Sequence, residues 1–143
     1  MIRTSWTSPS APFGPQRECT VIAAHLPVRG ARALPGALAH AYRLVRVLRS
    51  TDGLLGHALA VQLAPPALWT VSAWADRTAL AQFERSPAHR AAKAQLSNRL
   101  RPSTLVVWRC QPDSLPPGWA ETHRRLRRAT GTGEPRLTSS PNR

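Results

Sequence analysis

Three histidines stand where an imidazole could enter an apolar pocket. His25 and His57 fall in the runs CTVIAAHL and LLGHALAVQL, which alternate like strands and give each histidine a face shared with apolar neighbours. Histidine titrates near neutral pH, so either one would serve a pocket as a proton acceptor. The plainer role is a half-buried imidazole satisfied by one hydrogen bond. The two lack metal-ligand spacing, and no metal site is expected. His89 follows Ser86-Pro87, a pair that reads as a helix N-terminus. The helix dipole disfavours positive charge there, which leaves His89 neutral and able to take a proton. Its alternative is a surface or capping position beside Arg90. Trp69, Trp74 and Trp108 lie in or at the ends of strand-like runs. Trp69 and Trp74 are an odd number of residues apart and must point to opposite sheet faces. Large aromatics of this kind anchor a core or an interface, or line a substrate pocket. Tyr42, the only tyrosine, sits on a helical stretch where its hydroxyl reaches solvent or the pocket.

Other chemistries are poorly represented. The chain has no nucleophile–base motif, phosphate loop, dinucleotide fingerprint or paired carboxylates. With seven acids in all, Glu84 is the sole carboxylate near the second helical region. Cys19 and Cys110 are too few for a disulfide framework or a structural zinc site, and read as free thiols in a reducing compartment.

The net charge of +13 invites a nucleic-acid reading, because basic surfaces release counterions from phosphate backbones. Nineteen of the twenty basic residues are Arg, alongside abundant Ala and Pro, a bias that codon usage in a GC-rich genome produces unaided. Much of the excess is local: Arg124, Arg125, Arg127, Arg128, Arg136 and Arg143 face a single acid, Glu134, in the last 20 residues. Nucleic acid is therefore a candidate partner only through this basic tail. The first residues lack the apolar core of a signal peptide, and no run is long enough to span a membrane. A cytoplasmic protein with no membrane partner is expected.

The elements that must position these groups are legible in the hydrophobic spacing. Residues 1–17, with Pro9, Pro12, Pro15 and Gly14, read as a flexible leader on which Trp6 and Phe13 could dock. Residues 19–26 form a strand with Val21, Ala23 and His25 on one face. Leu34, Leu38, Ala41, Val45 and Leu48 mark a helix over 33–50, ended by Asp52-Gly53. Residues 54–63 form a strand with Leu55, His57, Leu59, Val61 and Leu63 on one face. Pro65-Pro66 then turns the chain into an antiparallel strand over 68–74. Residues 76–101 are helical but broken at Ser86-Pro87, since proline costs an interior hydrogen bond and clashes. A last strand spans 104–110. Residues 111–130 hold a Pro-rich linker and a short basic helix, and 131–143 read as a disordered tail. The order strand, helix, strand, strand, helix, strand is the split βαββαβ unit of the ferredoxin-like α+β fold over 18–110, with an antiparallel sheet and two helices on one face. That topology makes the first and last strands antiparallel neighbours and predicts that Cys19 and Cys110 lie close together.

From LWTVSAW through ADRTALAQFERSPAHRAA to the strand ending in VVW, the chain resembles the antibiotic-biosynthesis-monooxygenase-like proteins of the dimeric α+β-barrel superfamily. The positions that carry the resemblance are Trp74, Asp76, Leu80, Phe83, Ser86 and His89. It implies a homodimer whose two sheets face each other, with a pocket between each sheet and its helices. Some members oxidise aromatic polyketides with oxygen and no metal or flavin, and others bind and degrade haem. The haem-degrading pattern puts a Trp where this chain has Phe83 and a haem-ligating His where it has Lys93. His89 lies one helical turn before Lys93, so haem would need a displaced ligand. No cofactor is the expectation.

The leading expectation is a monooxygenase-like, small-molecule-binding homodimer acting on an aromatic or apolar molecule. His89 and Trp74 would be catalytic, with Trp69, Phe83, His25, His57 and Tyr42 binding substrate. A non-catalytic ligand-binding or dimerisation domain, and nucleic-acid association through the Arg-rich C-terminus, are the alternatives.

Overall fold

The computed structural model describes residues 1–8, 18–131 and 137–138. The alternating runs form the central antiparallel strands β2 (Cys19–Pro27), β3 (Leu54–Leu63), β4 (Pro66–Trp74) and β5 (Thr104–Cys110), with β1 (Ile2–Arg3) on β3 and a short parallel β6 (Leu137–Thr138) on β5. The sheet order is β1-β3-β4-β2-β5-β6, which places β2 between β4 and β5 as the split unit requires. Helix α1 (Leu34–Leu48) joins β2 to β3, and α2 (Arg77–Glu84) and α3 (Pro87–Ser97) join β4 to β5.

Local chemistry sets the helix ends. Asp76 Oδ1 accepts the Ala79 amide at 2.8 Å and starts α2. Ser86 Oγ accepts the His89 amide at 3.2 Å, and Pro87 occupies the first position of α3, so the expected break is two capped helices. Gly53 turns the chain from α1 into β3 at φ 86°, a conformation that favours glycine, and a Cβ there would collide with the Ala79 side chain.

Both faces of the sheet are covered, by different helices. On one, Leu34, Ala37 and Ala41 of α1 and Leu96 of α3 pack with Leu68, while Leu48, Leu54, Trp74, Leu80 and Phe83 form a second cluster beside them. On the other, Val21, Ala23, Ala58, Val71, Ala73 and Trp108 pack against Leu126 of α4 (Trp119–Gly131). Leu126 and Thr122 are fully buried, so the segment expected as a short basic helix is an amphipathic element of the core. Arg125 turns inward as well and lies over the Trp108 ring, 4.5 Å from its centroid.

Two sequence expectations change here. Residues 2–7, read as part of a flexible leader, are tied along β3: Thr4 and Thr7 donate their amides to Leu59 and His57 carbonyls at 2.8 and 2.9 Å. Trp6 rests on Gly56, where any Cβ would strike its indole. Phe13 and the rest of the leader through residue 17 lie outside the described residues, as do 132–136 and 139–143 of the expected tail. The second change is within β3. A bulge between Leu54 and Gly56 puts an extra residue into the strand, and Leu55 packs on the α4 side while His57 stays on the side of α1–α3. The single face expected for Leu55 and His57 is thereby split.

Candidate functional site

The end of β4 and the α2–α3 break bring three of the expected groups together under the helices, with a fourth on the same sheet face. Trp74 ends β4, fully buried, with its indole N–H donating to Ser72 Oγ at 2.9 Å. Phe83 from the last turn of α2 stacks on it, with ring centroids 5.1 Å apart. His89 from the first turn of α3 meets Phe83 edge-on, also at 5.1 Å. His57 faces the same side, because it pairs across the ladder with Ser72.

The two imidazoles of this region are electrostatically alike and bonded differently. His89 Nδ1 lies 3.1 Å from the Glu84 carbonyl oxygen. A carbonyl only accepts, so Nδ1 carries the proton and a neutral ring has its lone pair on Nε2. Burial pushes the His89 pKa below its ordinary value, against the hydrogen bond and charge at Glu84, while Lys93 adds to the lowering. The ring is thus biased toward its neutral form and oriented by its backbone partner. His57 is also pushed down, first by burial and then by the Arg49 charge. It is 7% exposed, and its Nε2 has no hydrogen-bond partner among the described residues.

The remaining expected residues lie elsewhere. His25 and Trp69 belong to the opposite sheet face. There Trp69 is sandwiched between His25, 4.0 Å from its centroid, and His123 of α4, at 4.3 Å. Trp119 closes the column edge-on against His123, and Gln62 accepts the Trp69 indole N–H at 3.2 Å. Burial lowers the pKa of both histidines, and each gains a smaller lowering from nearby positive charge. His123 Nε2 is a second buried nitrogen without a partner. Tyr42 is 59% exposed on the outer surface of α1 and touches neither cluster. Sequence reasoning passed over His123 and Trp119. Their signal was the spacing Trp119, Thr122-His123, Leu126 inside a segment dominated by Arg.

An open depression of about 380 Å³ lies at the other end of the sheet from Trp74, lined by Arg29, Arg101 and Pro102. Arg29 Nε donates to the Leu100 carbonyl at 3.0 Å, which fixes one of the two guanidinium groups. Among the described residues no group of three or more His, Cys, Asp or Glu side chains is placed to hold a metal ion. No described helix is long and apolar enough to cross a membrane.

Residues 31–95, from just before α1 into α3, match the family described as Antibiotic biosynthesis monooxygenase. No curated protein sequence matches the chain. Among solved structures, Rv0793 from Mycobacterium tuberculosis is 25% identical with a TM-score of 0.55, covering 64% of this chain and 92% of that one. A variant of SnoaB, a cofactor-independent oxygenase from Streptomyces nogalater, is 15% identical with a TM-score of 0.58, covering 68% and 97%. A conserved protein from Methanosarcina mazei Go1 is 17% identical with a TM-score of 0.59, covering 63% and 90%. These likenesses agree on the fold of about two thirds of the chain.

Proposed function

We propose that this chain, whose residues 31–95 match the antibiotic-biosynthesis-monooxygenase family model, binds a small, electron-rich aromatic molecule and oxidises it with molecular oxygen. It works without metal or flavin, as a cytoplasmic homodimer. The observation that carries this reading is the neutral His89, oriented through Nδ1 by the Glu84 carbonyl and set against the Phe83–Trp74 ring pair.

In this scheme Nε2 of His89 removes a proton from an acidic ring carbon of the substrate. The resulting carbanion passes electrons to O2, and the peroxide formed at that carbon breaks down to a ketone and water. One oxygen atom enters the product and the other leaves as water. Phe83, with Trp74 stacked behind it, would supply the apolar wall beside His89 that keeps water from the anion. His57 Nε2, buried and without a partner among the described residues, would bond a substrate oxygen.

Anthrone-type phenols under oxygen test the proposal. His89→Ala should slow turnover by about 10²- to 10⁴-fold, the range for loss of a general base. Equal turnover in both proteins removes His89 from the scheme, and no turnover in the unaltered protein sinks the catalytic reading for that substrate class.

The full burial of Trp74 within the Leu48–Leu54–Leu80–Phe83 cluster favours a second reading, a ligand-binding or dimerisation domain without chemistry. It predicts quenching of tryptophan fluorescence by the same phenols with no product. Association of nucleic acid with the basic C-terminus is best tested by changing Arg124, Arg127 and Arg128 together to Gln. Deleting 123–143 would also strip Leu126 from the core.

A further inference from the structure

Cys19 opens β2 and Cys110 closes β5, and the two are directly opposed partners in the antiparallel ladder. Their sulfurs are 3.2 Å apart, and Cys19 Sγ also lies 3.2 Å from the Cys110 carbonyl oxygen. Opposed residues in an antiparallel pair have Cα atoms about 4.5–5.5 Å apart, inside the range that a disulfide spans. Closing the gap to a bonded length of about 2.05 Å therefore needs side-chain rotation and no movement of either strand.

The pair also occupies a junction. Cys19 is where the chain enters the sheet, and Cys110 is where it leaves toward α4. Cys110 packs against the cluster that seats Leu126, and Cys19 is 1% exposed while Cys110 is partly exposed.

We propose that Cys19 and Cys110 are a redox modification site that closes to an intramolecular disulfide by exchange with a small-molecule disulfide. The more accessible Cys110 gives up its proton and attacks one sulfur of the reagent, releasing one thiolate. Cys19 then gives up its proton, attacks the Cys110 sulfur and displaces the second thiolate. The two protein thiols lose two electrons and two protons, and the reagent is reduced to two thiols. The product staples the entry and exit of the sheet across a loop of about 90 residues and holds the start of the α4 connection to β2.

The groups around Cys110 make the first step slow at neutral pH. Burial pushes its thiol up to about 12, helped by the Cys19 hydrogen bond and by the Cys19 and Glu121 charges, with Arg125 of α4 opposing.

The test uses the full chain, oxidised and reduced glutathione in graded ratios, acid quenching, alkylation under denaturing conditions and intact mass. The expected result is loss of both thiols together, a mass decrease of about 2 Da, and a linked peptide pair containing residues 19 and 110. Half-oxidation should need a ratio at least tenfold lower than for the same chain in denaturing urea, since the fold holds the sulfurs in contact. The rate should rise about tenfold per pH unit from 7 to 9, following the thiolate fraction. Cys19→Ala should instead accumulate glutathione on Cys110, and Cys110→Ala should react far more slowly at the buried Cys19. A lasting glutathione adduct on the unaltered chain, disulfide-linked dimers, or equal ratios for folded and unfolded protein would each overturn the proposal.

Discussion

Replacing His57 by Leu should make the protein more stable. The imidazole is 7% exposed and its Nε2 has no described partner, so folding removes a polar nitrogen from water without compensation. An unmade bond of this kind costs about 1–3 kcal/mol, and Leu fills a similar volume with no polar atom. Some packing is lost with the exchange of shape, which leaves an expected gain of about 1–2 kcal/mol at pH 8. For a domain of this size that corresponds to a rise of roughly 3–8 °C in Tm. The pH dependence gives an independent check. Burial and Arg49 hold the folded-state pKa of His57 below the ordinary histidine value of 6.5, so the unfolded chain binds the proton more readily. Stability from this group is intact above about 6.5 and is lost as the pH falls toward the folded-state value. The Leu variant lacks that loss, and its advantage over the parent should widen from pH 8 to pH 5.5. Urea unfolding followed by circular dichroism at both pH values measures the difference, with His57→Gln as a control that keeps an unpaired polar group. A Leu variant less stable than the parent at pH 8 would refute the reasoning, because it would mean that Nε2 is satisfied in solution. If the proposed substrate contact is correct, the stabilised variant should also bind anthrone-type phenols less tightly.

Asp76→Ala removes the side-chain acceptor for the Ala79 amide and should cost about 1 kcal/mol, read from the urea midpoint. Gly56→Val places side-chain atoms where the Trp6 indole rests, so it should expel the leader from β3 and red-shift tryptophan emission. Retained emission with protected Thr4 and Thr7 amides would show that the leader can shift without leaving. Leu126→Ala opens a cavity beneath α4 and should cost about 2–5 kcal/mol, whereas an unpacked basic helix would lose almost nothing.

The central frame was readable because its signals are local. Alternation marks the four long strands, and Leu34, Ala41 and Leu48 mark α1. Ser86-Pro87 combines a cap with a residue that cannot lie inside a helix. Topology then carried the reading across 91 positions to the Cys19–Cys110 contact. What escaped were features set by tertiary fit. The β3 bulge adds one residue without any proline or left-handed glycine at that point, so alternation ran past it and misplaced Leu55. The leader binds through backbone amides, which leave no periodicity in side chains. In α4 the apolar stripe of Trp119, Thr122 and Leu126 is narrow and set among arginines, and charge masked it. The candidate site was partly legible. Trp74, Phe83 and His89 meet in one cluster, but His25 and Trp69 form a separate column whose other half, His123, comes from α4, where arginines hide the packing face.

The position of α4 carries a geometric consequence for self-association. Sheets that pack face to face stand about 10 Å apart, with their side chains interdigitated. A helix with side chains is itself about 10 Å across, so two copies meeting through this face with both helices seated would hold their sheets roughly 20 Å apart or more. Direct contact between Trp108 or Val71 of one copy and its counterpart is then out of reach. A sheet-facing dimer of this chain must either insert the paired helices as a middle layer, or trade them so that each covers the other copy's strands. In the second case the Pro-rich stretch from Gln111 to Gly118 becomes the hinge, and its length sets how far the exchange can reach.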